Sequence, residues 1–291
     1  MGTLAGVILS WSALYALLAA GYVIVYRASR ILNFAHGELM MLGAYFALSI
    51  ANNIDVPAPV VIIISLALSF GVGYLLYWLI MRRMIGEPIY STIIVTIGLS
   101  LTFRGIVTVI WGARHYYLNT ALGIPNKAVH LPFGIILSTF DTFTIVAAVV
   151  FLTVLILFLR MTRQGAYMRA SAENPLLAAQ GGINVYMIFA LSWSIATIGA
   201  CMAGIVYGGN TLLSPSIGFV GLLALPVALA GGMDSLLGVI PAAIIISTAQ
   251  VLGVKYGGPF LSEVIPMFIM LMVLIIRPWG LFGTKEEIQR V

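Results

Sequence analysis

One cysteine in 291 residues, Cys201, excludes an intrachain disulfide and any metal site built from a cysteine cluster. Its expected role is that of a small helix-packing residue. Charge is nearly as scarce: Asp, Glu, Lys and Arg make up 8% of the chain, where a soluble domain carries about 25%. No GxxxxGK[ST] phosphate loop, no HExxH and no acidic pair within one apolar run is present. Asp55, Asp141, Glu87, Glu263, Glu286 and Glu287 fall at the ends of apolar runs or outside them, whereas Glu38 and Asp234 do not. No catalytic residue, metal site or cofactor is expected in this chain. A self-sufficient proton-coupled carrier would need more ionisable groups within its spans, so any energy used should come from another chain.

What fills the chain is hydrocarbon. It is 62% hydrophobic with a mean hydropathy of +1.11. Apolar runs of about 18 residues or more recur along it, each enough to cross roughly 30 Å of bilayer as a helix. They lack the alternation of a barrel strand. The expected fold is all-α and polytopic, about eight transmembrane helices forming one domain over residues 1–291. Expected spans are 4–26, 31–51, 57–80, 89–111, 141–159, 185–208, 218–231, 235–253 and 260–276. The first has no basic leader and is too long for a signal core, so it reads as a span. The segments 218–231 and 235–253 either cross fully or form a re-entrant pair, since the first is short, contains Pro226 and joins the second through "AGGMDS". The loop over 112–140, with His115, Tyr116 and Tyr117, reads as an irregular cap or a solvated connector.

The net charge of +5 reports orientation before it reports a partner, and no nucleic-acid partner is expected. With the N-terminus outside, Arg27, Arg30, Arg82, Arg83, Arg160, Arg163, Arg169, Arg277, Lys285 and Arg290 fall on the inner side. Arg114, Lys127 and Lys255 fall on the outer side, ten against three. The C-terminus is then cytoplasmic.

On that topology "RASAENPLLAAQGGINV", 169–185, lies on the inner face between two apolar runs. Asn174 can cap a short helix with Pro175 at its first position, where the missing N–H costs nothing. Leu176, Leu177 and Ala178 or Ala179 give it a small apolar face, and Gly181 and Gly182 end it. A helix that short is marginal alone and should lie against something.

This segment resembles the cytoplasmic coupling helix of permeases of the branched-chain amino-acid (LIV-type) ABC importer family. Further stretches agree in order: "ILNFAHGELMMLGAY" at 31–45, "TIGLS" at 96–100, "GIVYGG" at 204–209, "VALAGGMDSLLGVIPAAII" at 227–245 and "RPWGLFG" at 277–283. The resemblance covers nearly the whole chain and points to the shorter of two permease subunits. It implies a bacterial inner-membrane importer for branched-chain or other small hydrophobic amino acids, with urea or short amides as the alternative solutes. It also implies a longer partner permease, two cytoplasmic ATPases that hold ATP and Mg, and a periplasmic or extracellular solute-binding protein. The coupling segment would be 169–184, with Glu173, Asn174, Pro175, Leu176, Leu177, Gly181 and Gly182 at the ATPase contact. An autonomous carrier, not driven by ATP, is the competing class.

Pathway or gate candidates are Asn33, His36 and Glu38 in "NFAHGE", and Gly231 and Gly232. If 31–51 is helical throughout, Asn33 and Gly37 share a face, as do Phe34 and Glu38. Glu38 is either a gate or a packing group held by hydrogen bonds or by Arg30, since a carboxylate facing lipid is costly. Arg104, mid-span, either meets a substrate carboxylate or braces a neighbouring helix through backbone carbonyls. Gly204, Gly208, Gly209, Gly231, Gly232 and Gly238 suit tight turns or close helix contacts. If 225–235 is a broken helix at membrane depth, its backbone ends could line the pathway, with Asp234 and Ser235 capping the helix that follows.

Overall fold

The computed structural model describes residues 2–130 and 134–284. Lys285 and Arg290, counted above toward the inner face, and Glu286 and Glu287 lie outside the described residues. In chain order the helices are α1 (Gly2–Ser29), α2 (His36–Asn53), α3 (Ala58–Leu79), α4 (Ile89–Trp111), α5 (Leu118–Ala121), α6 (Thr139–Met161), α7 (Arg163–Glu173), α8 (Pro175–Gln180), α9 (Val185–Asn210), α10 (Gly218–Leu222), α11 (Ala224–Gly231), α12 (Val239–Gly257) and α13 (Leu261–Ile276). Two short 3-10 turns, Met81–Met84 and Pro215–Ile217, and one small hairpin, β1 (Ala128–His130) with β2 (Ile136–Ser138), complete the elements. The all-α, polytopic architecture read from composition is the one that forms.

Helices α1, α3, α4, α6, α9 and α12 are long and apolar enough to cross a membrane. Their boundaries follow local chemistry. Pro57 and Pro88 stand immediately before α3 and α4 in extended backbone, where a fixed φ and a missing N–H are harmless. Ser138 and Asp141 form a reciprocal capping box at the start of α6.

Helix α9 is the axis of the bundle. Of its most apolar stretch 78% is buried, against 17% for α4, so α9 packs on protein all round and α4 faces outward. Small residues let the neighbouring backbones close in, as in membrane helices generally. A side chain at Gly204 would collide with the Met40 carbonyl, and one at Gly43 with Cys201. Cys201 is fully buried there and serves the packing role expected of it.

The two ends of the bundle differ. At one end the Asp141 carboxylate accepts from Ser10 of α1 (2.6 Å) and Asn210 of α9 (2.9 Å), tying three helices together beside the β1–β2 hairpin. The other end gathers Arg27, Arg160 and Arg169 around one cavity.

The passage from 211 to 234 runs between these ends. Leu213 and Tyr116 exchange backbone bonds of 2.9 and 3.0 Å at the hairpin end, and Asp234 lines the arginine-rich cavity at the other. Helix α12 then returns, meeting α1 through Ser247–Ser12 and Tyr15–Gln250 (2.7 Å). The two segments are therefore full passes rather than a re-entrant hairpin. Taking α10 and α11 as one, each of the nine expected spans has a helix among the described residues, six of them long and apolar enough to cross a membrane. The break between α10 and α11 follows from Pro226, which has no N–H for the Leu222 carbonyl. Leu223 N–H itself keeps the helical bond to the Phe219 carbonyl (3.3 Å) and shares it with the Val220 carbonyl (3.2 Å).

Candidate functional site

The second expected span does not begin as a helix. Residues 30–35 are irregular, Arg30 is left-handed at φ 55°, and α2 starts only at His36. Asn33 explains the delay: its side-chain oxygen accepts from Ala35 N–H (3.1 Å) and its carbonyl from His36 N–H (3.2 Å). A short polar side chain competes in this way with helical bonding. The face expected to join Asn33 with Gly37 therefore does not exist.

This irregular stretch carries the start of α2 into the bundle interior. Thr96 of α4 donates to the Leu32 carbonyl (3.2 Å), and further along Trp111 Nε1 donates to Ser49 Oγ (2.7 Å), so α2 and α4 run in step. Between these contacts Arg104 forms an ion pair with Glu38, and Ser100 adds a longer bond of 3.4 Å. At about 1.5 Å of rise per residue, Arg104 lies about 22 Å along α4 from Ile89 and about 10 Å short of Trp111. The pair is thus deep in a span. Glu38 is packed by protein rather than facing lipid, and Arg104 rather than Arg30 holds it. Arg104 braces α4 to α2 through a carboxylate, not through backbone carbonyls.

Around the pair, helix ends crowd together. The Arg104 guanidinium stacks over Phe219 at 4.0 Å from the ring centroid. Glu38 leaves its second oxygen without a hydrogen-bond partner among the described residues, over Gly218, where a methyl group would strike the carboxyl. Gly37 meets Gly218 and Gly221 backbone to backbone, with no room for a Cβ on any of the three. The His36 ring fills the space left by Gly21 and lies 4.5 Å from the Tyr22 ring. Asn33, His36 and Glu38 are all buried. Two helices, α2 and α10, thus begin beside one another around a charge pair in the bundle interior.

Gly231 and Gly232, grouped with these residues from the sequence, lie at the arginine-rich end instead. Gly231 packs on Gly238, and Gly232, at φ 106°, sits against Gly283 and the Trp279 carbonyl. The stretch "RPWGLFG" folds over the C-terminus of α11, where Leu281 N–H bonds the Ala230 carbonyl (2.8 Å) and Phe282 N–H the Gly231 carbonyl (3.1 Å). These bonds satisfy carbonyls that a helix end leaves open. Asp234 does not cap α12: it accepts from Thr284 N–H at 2.9 Å, while Ser235 accepts from Gly238 N–H at 3.1 Å.

The segment 169–184 forms as its local signals require. Asn174 caps α8 by accepting from Leu176 and Leu177 N–H, both at 3.0 Å, with Pro175 in the first turn. Gly182 supplies the left-handed residue at φ 82°. Ala178 turns inward, while Leu176 and Leu177 are 70% and 62% exposed. Glu173 ends α7 and, like Asn174 and Pro175, is exposed.

Phe219, Ser100 and Gly218 escaped sequence reasoning. An aromatic, a serine and a glycine in apolar runs carry no signal until α4 and α10 are set beside α2.

The family described as "Branched-chain amino acid transport system / permease component" matches residues 4–276. The chain belongs to this permease family. Among its relatives is the high-affinity branched-chain amino acid transport system permease protein LivH of Escherichia coli K12, 28% identical over 95% of this chain and 93% of its own length. BraD of Pseudomonas aeruginosa, with the same description, is 28% identical over 95% of this chain and 94% of its own length. The probable permease LivH of Methanocaldococcus jannaschii is 28% identical over 94% and 90%. No solved structure matches the chain. The permease is a multi-pass membrane protein and one component of a transport system.

Proposed function

We propose that this permease is the shorter transmembrane subunit of a binding-protein-dependent, ATP-driven importer for branched-chain or other small hydrophobic amino acids. The observation that carries the reading is the family match over nearly the entire chain, together with relatives whose names specify branched-chain amino acid transport. The single domain forms one side of the pathway beside a longer partner permease. Asn33, His36 and Glu38 stand at its mid-depth constriction. Two ATPase subunits, which hold ATP and Mg, contact residues 169–184 on the cytoplasmic face, and a solute-binding protein delivers substrate to the other face. The two exposed leucines of α8 support this contact, since an apolar pair on a six-residue helix is suited to insertion into a partner. Orientation places the N-terminus outside and the C-terminus in the cytoplasm of the bacterial inner membrane, following the arginine excess.

The test is reconstitution of the permease with its co-purifying chains in vesicles, with uptake of labelled leucine measured at saturating binding protein. Uptake that requires ATP and is lost when the ATPases are omitted is expected. Leucine uptake by this chain alone, without nucleotide, would overturn the reading in favour of an autonomous carrier.

A further inference from the structure

The arginine-rich end holds a cavity of about 400 Å³ that transport by the mid-depth site does not use. Three guanidiniums line it from three helices: Arg27 in the last turn of α1, Arg160 in the last turn of α6 and Arg169 on α7. Helix C-termini favour Arg27 and Arg160, but a dipole satisfies none of their N–H donors. Among the described residues none of the three has an ion-pair or hydrogen-bond partner. Among the described residues Asp234 is the one carboxylate in the wall, and it is engaged by Thr284. Arg27 lies within electrostatic reach of both Asp234 and Arg169, so like charges are held close with one carboxylate among them. Among the described residues, three Arg against one Asp leave the wall at a formal +2.

The rest of the wall is apolar. Ile156 and Leu159 of α6 line one side, and Leu237 and Phe282, both more than half exposed, form the lip. A free inorganic anion has no use for such a lip, whereas an acyl chain does. Guanidiniums recognise phosphate oxygens through paired N–H bonds, and basic pockets between helices at the cytoplasmic face suit lipid headgroups.

We propose that this cavity binds an anionic phospholipid, its phosphate among Arg27, Arg160 and Arg169 and an acyl chain over Leu237 and Phe282. The occupied site ties α7 to α1 and α6. Because α7 leads directly into the Asn174-capped helix, the lipid stiffens the support of that segment.

Binding of phosphatidylglycerol to the purified permease, titrated by native mass spectrometry with phosphatidylcholine as the zwitterionic control, tests the assignment without reference to transport. Selective retention of phosphatidylglycerol is expected. Its affinity should fall roughly thirtyfold in Arg27→Gln/Arg169→Gln, on an approximate fivefold loss for each cation removed. Arg163→Gln, the removal of one charge at an exposed arginine outside the cavity, should bind as the parent does. Asp234→Asn keeps an acceptor for Thr284 while removing the opposing charge, and should bind several-fold tighter, which reads the site even if the double variant folds poorly. Equal retention of the two lipids, or a loss in Arg163→Gln as large as in the double variant, overturns the proposal. Displacement of the lipid by millimolar inorganic phosphate reassigns the cavity to a free anion and overturns it as well.

Discussion

Glu38 and Arg104 join α2 to α4 through an ion pair deep in the permease, with the carboxylate buried and the guanidinium retaining 27% side-chain exposure over Phe219. Removing one member strands the other. Arg104→Met should destabilise the permease by about 3 kcal/mol, the low end for a broken buried pair because the cation keeps a route outward. Glu38→Gln/Arg104→Met should recover most of that loss. Thermal unfolding of the parent, both single variants and the double variant in detergent measures the coupling. Additive losses would show that the pair is energetically idle.

Gly37→Ala and Gly218→Ala insert a methyl group into backbone or carboxylate and should each cost about 1–3 kcal/mol. Gly71→Ala, on α3 with nothing within 4 Å, should be neutral or stabilise by up to about 1 kcal/mol through helix propensity. Melting temperatures of the three variants separate close packing from a general intolerance of glycine replacement.

Leu176→Ala/Leu177→Ala alters side chains that touch little in the permease itself, so the melting temperature should hold. ATP-dependent uptake should fall on the order of tenfold or more if both leucines are anchors. Asn174→Ala acts differently, removing the cap of α8 at a cost of about 1 kcal/mol. Uptake and ATPase co-purification measured together distinguish a lost docking surface from a frayed one.

Gly280 is left-handed at φ 80°, and a Cβ there would lie 2.7 Å from both Gly232 N and the Leu229 carbonyl. Gly280→Ala should release the segment after Arg277 from α11. Limited chymotrypsin digestion should then cleave after Phe282 faster than in the parent, with the transmembrane core intact. An unchanged digestion rate would mean that the backbone bonds of Leu281 and Phe282 survive the strain.

The one cysteine is buried beside Gly43, so Cys201→Ala provides a thiol-free background at small cost. A cysteine placed at Lys127 should react with an impermeant maleimide in intact cells, and one placed at Glu87, in the exposed loop after Arg83, only after permeabilisation. The reverse pattern would invert the orientation proposed from the arginines.

Much of this was legible in the sequence because its cause is local. Asn174, Pro175 and Gly182 shape their own turn and helix, and the long spans announce themselves by length and hydropathy. The helical start of α2 was misplaced, because 31–35 is apolar enough to continue a helix and only the competing Asn33 bonds prevent it. The partner of Glu38 was missed because Arg104 is 66 residues away, and only the parallel register of α2 and α4 brings the two together. Gly231 and Gly232 were grouped with the pathway because sequence shows that glycines are needed without showing at which depth.

Where Gly37 meets Gly218 and Gly221, main chain touches main chain and no side chain intervenes. Such a seam has no rotamers to exchange and no lubricating layer to slide on. Whatever motion opens the permease must carry the starts of α2 and α10 together as one block. The bending must fall where helical bonding is already interrupted, in the loop around Arg30 and at the Leu222 carbonyl that Pro226 leaves without a donor.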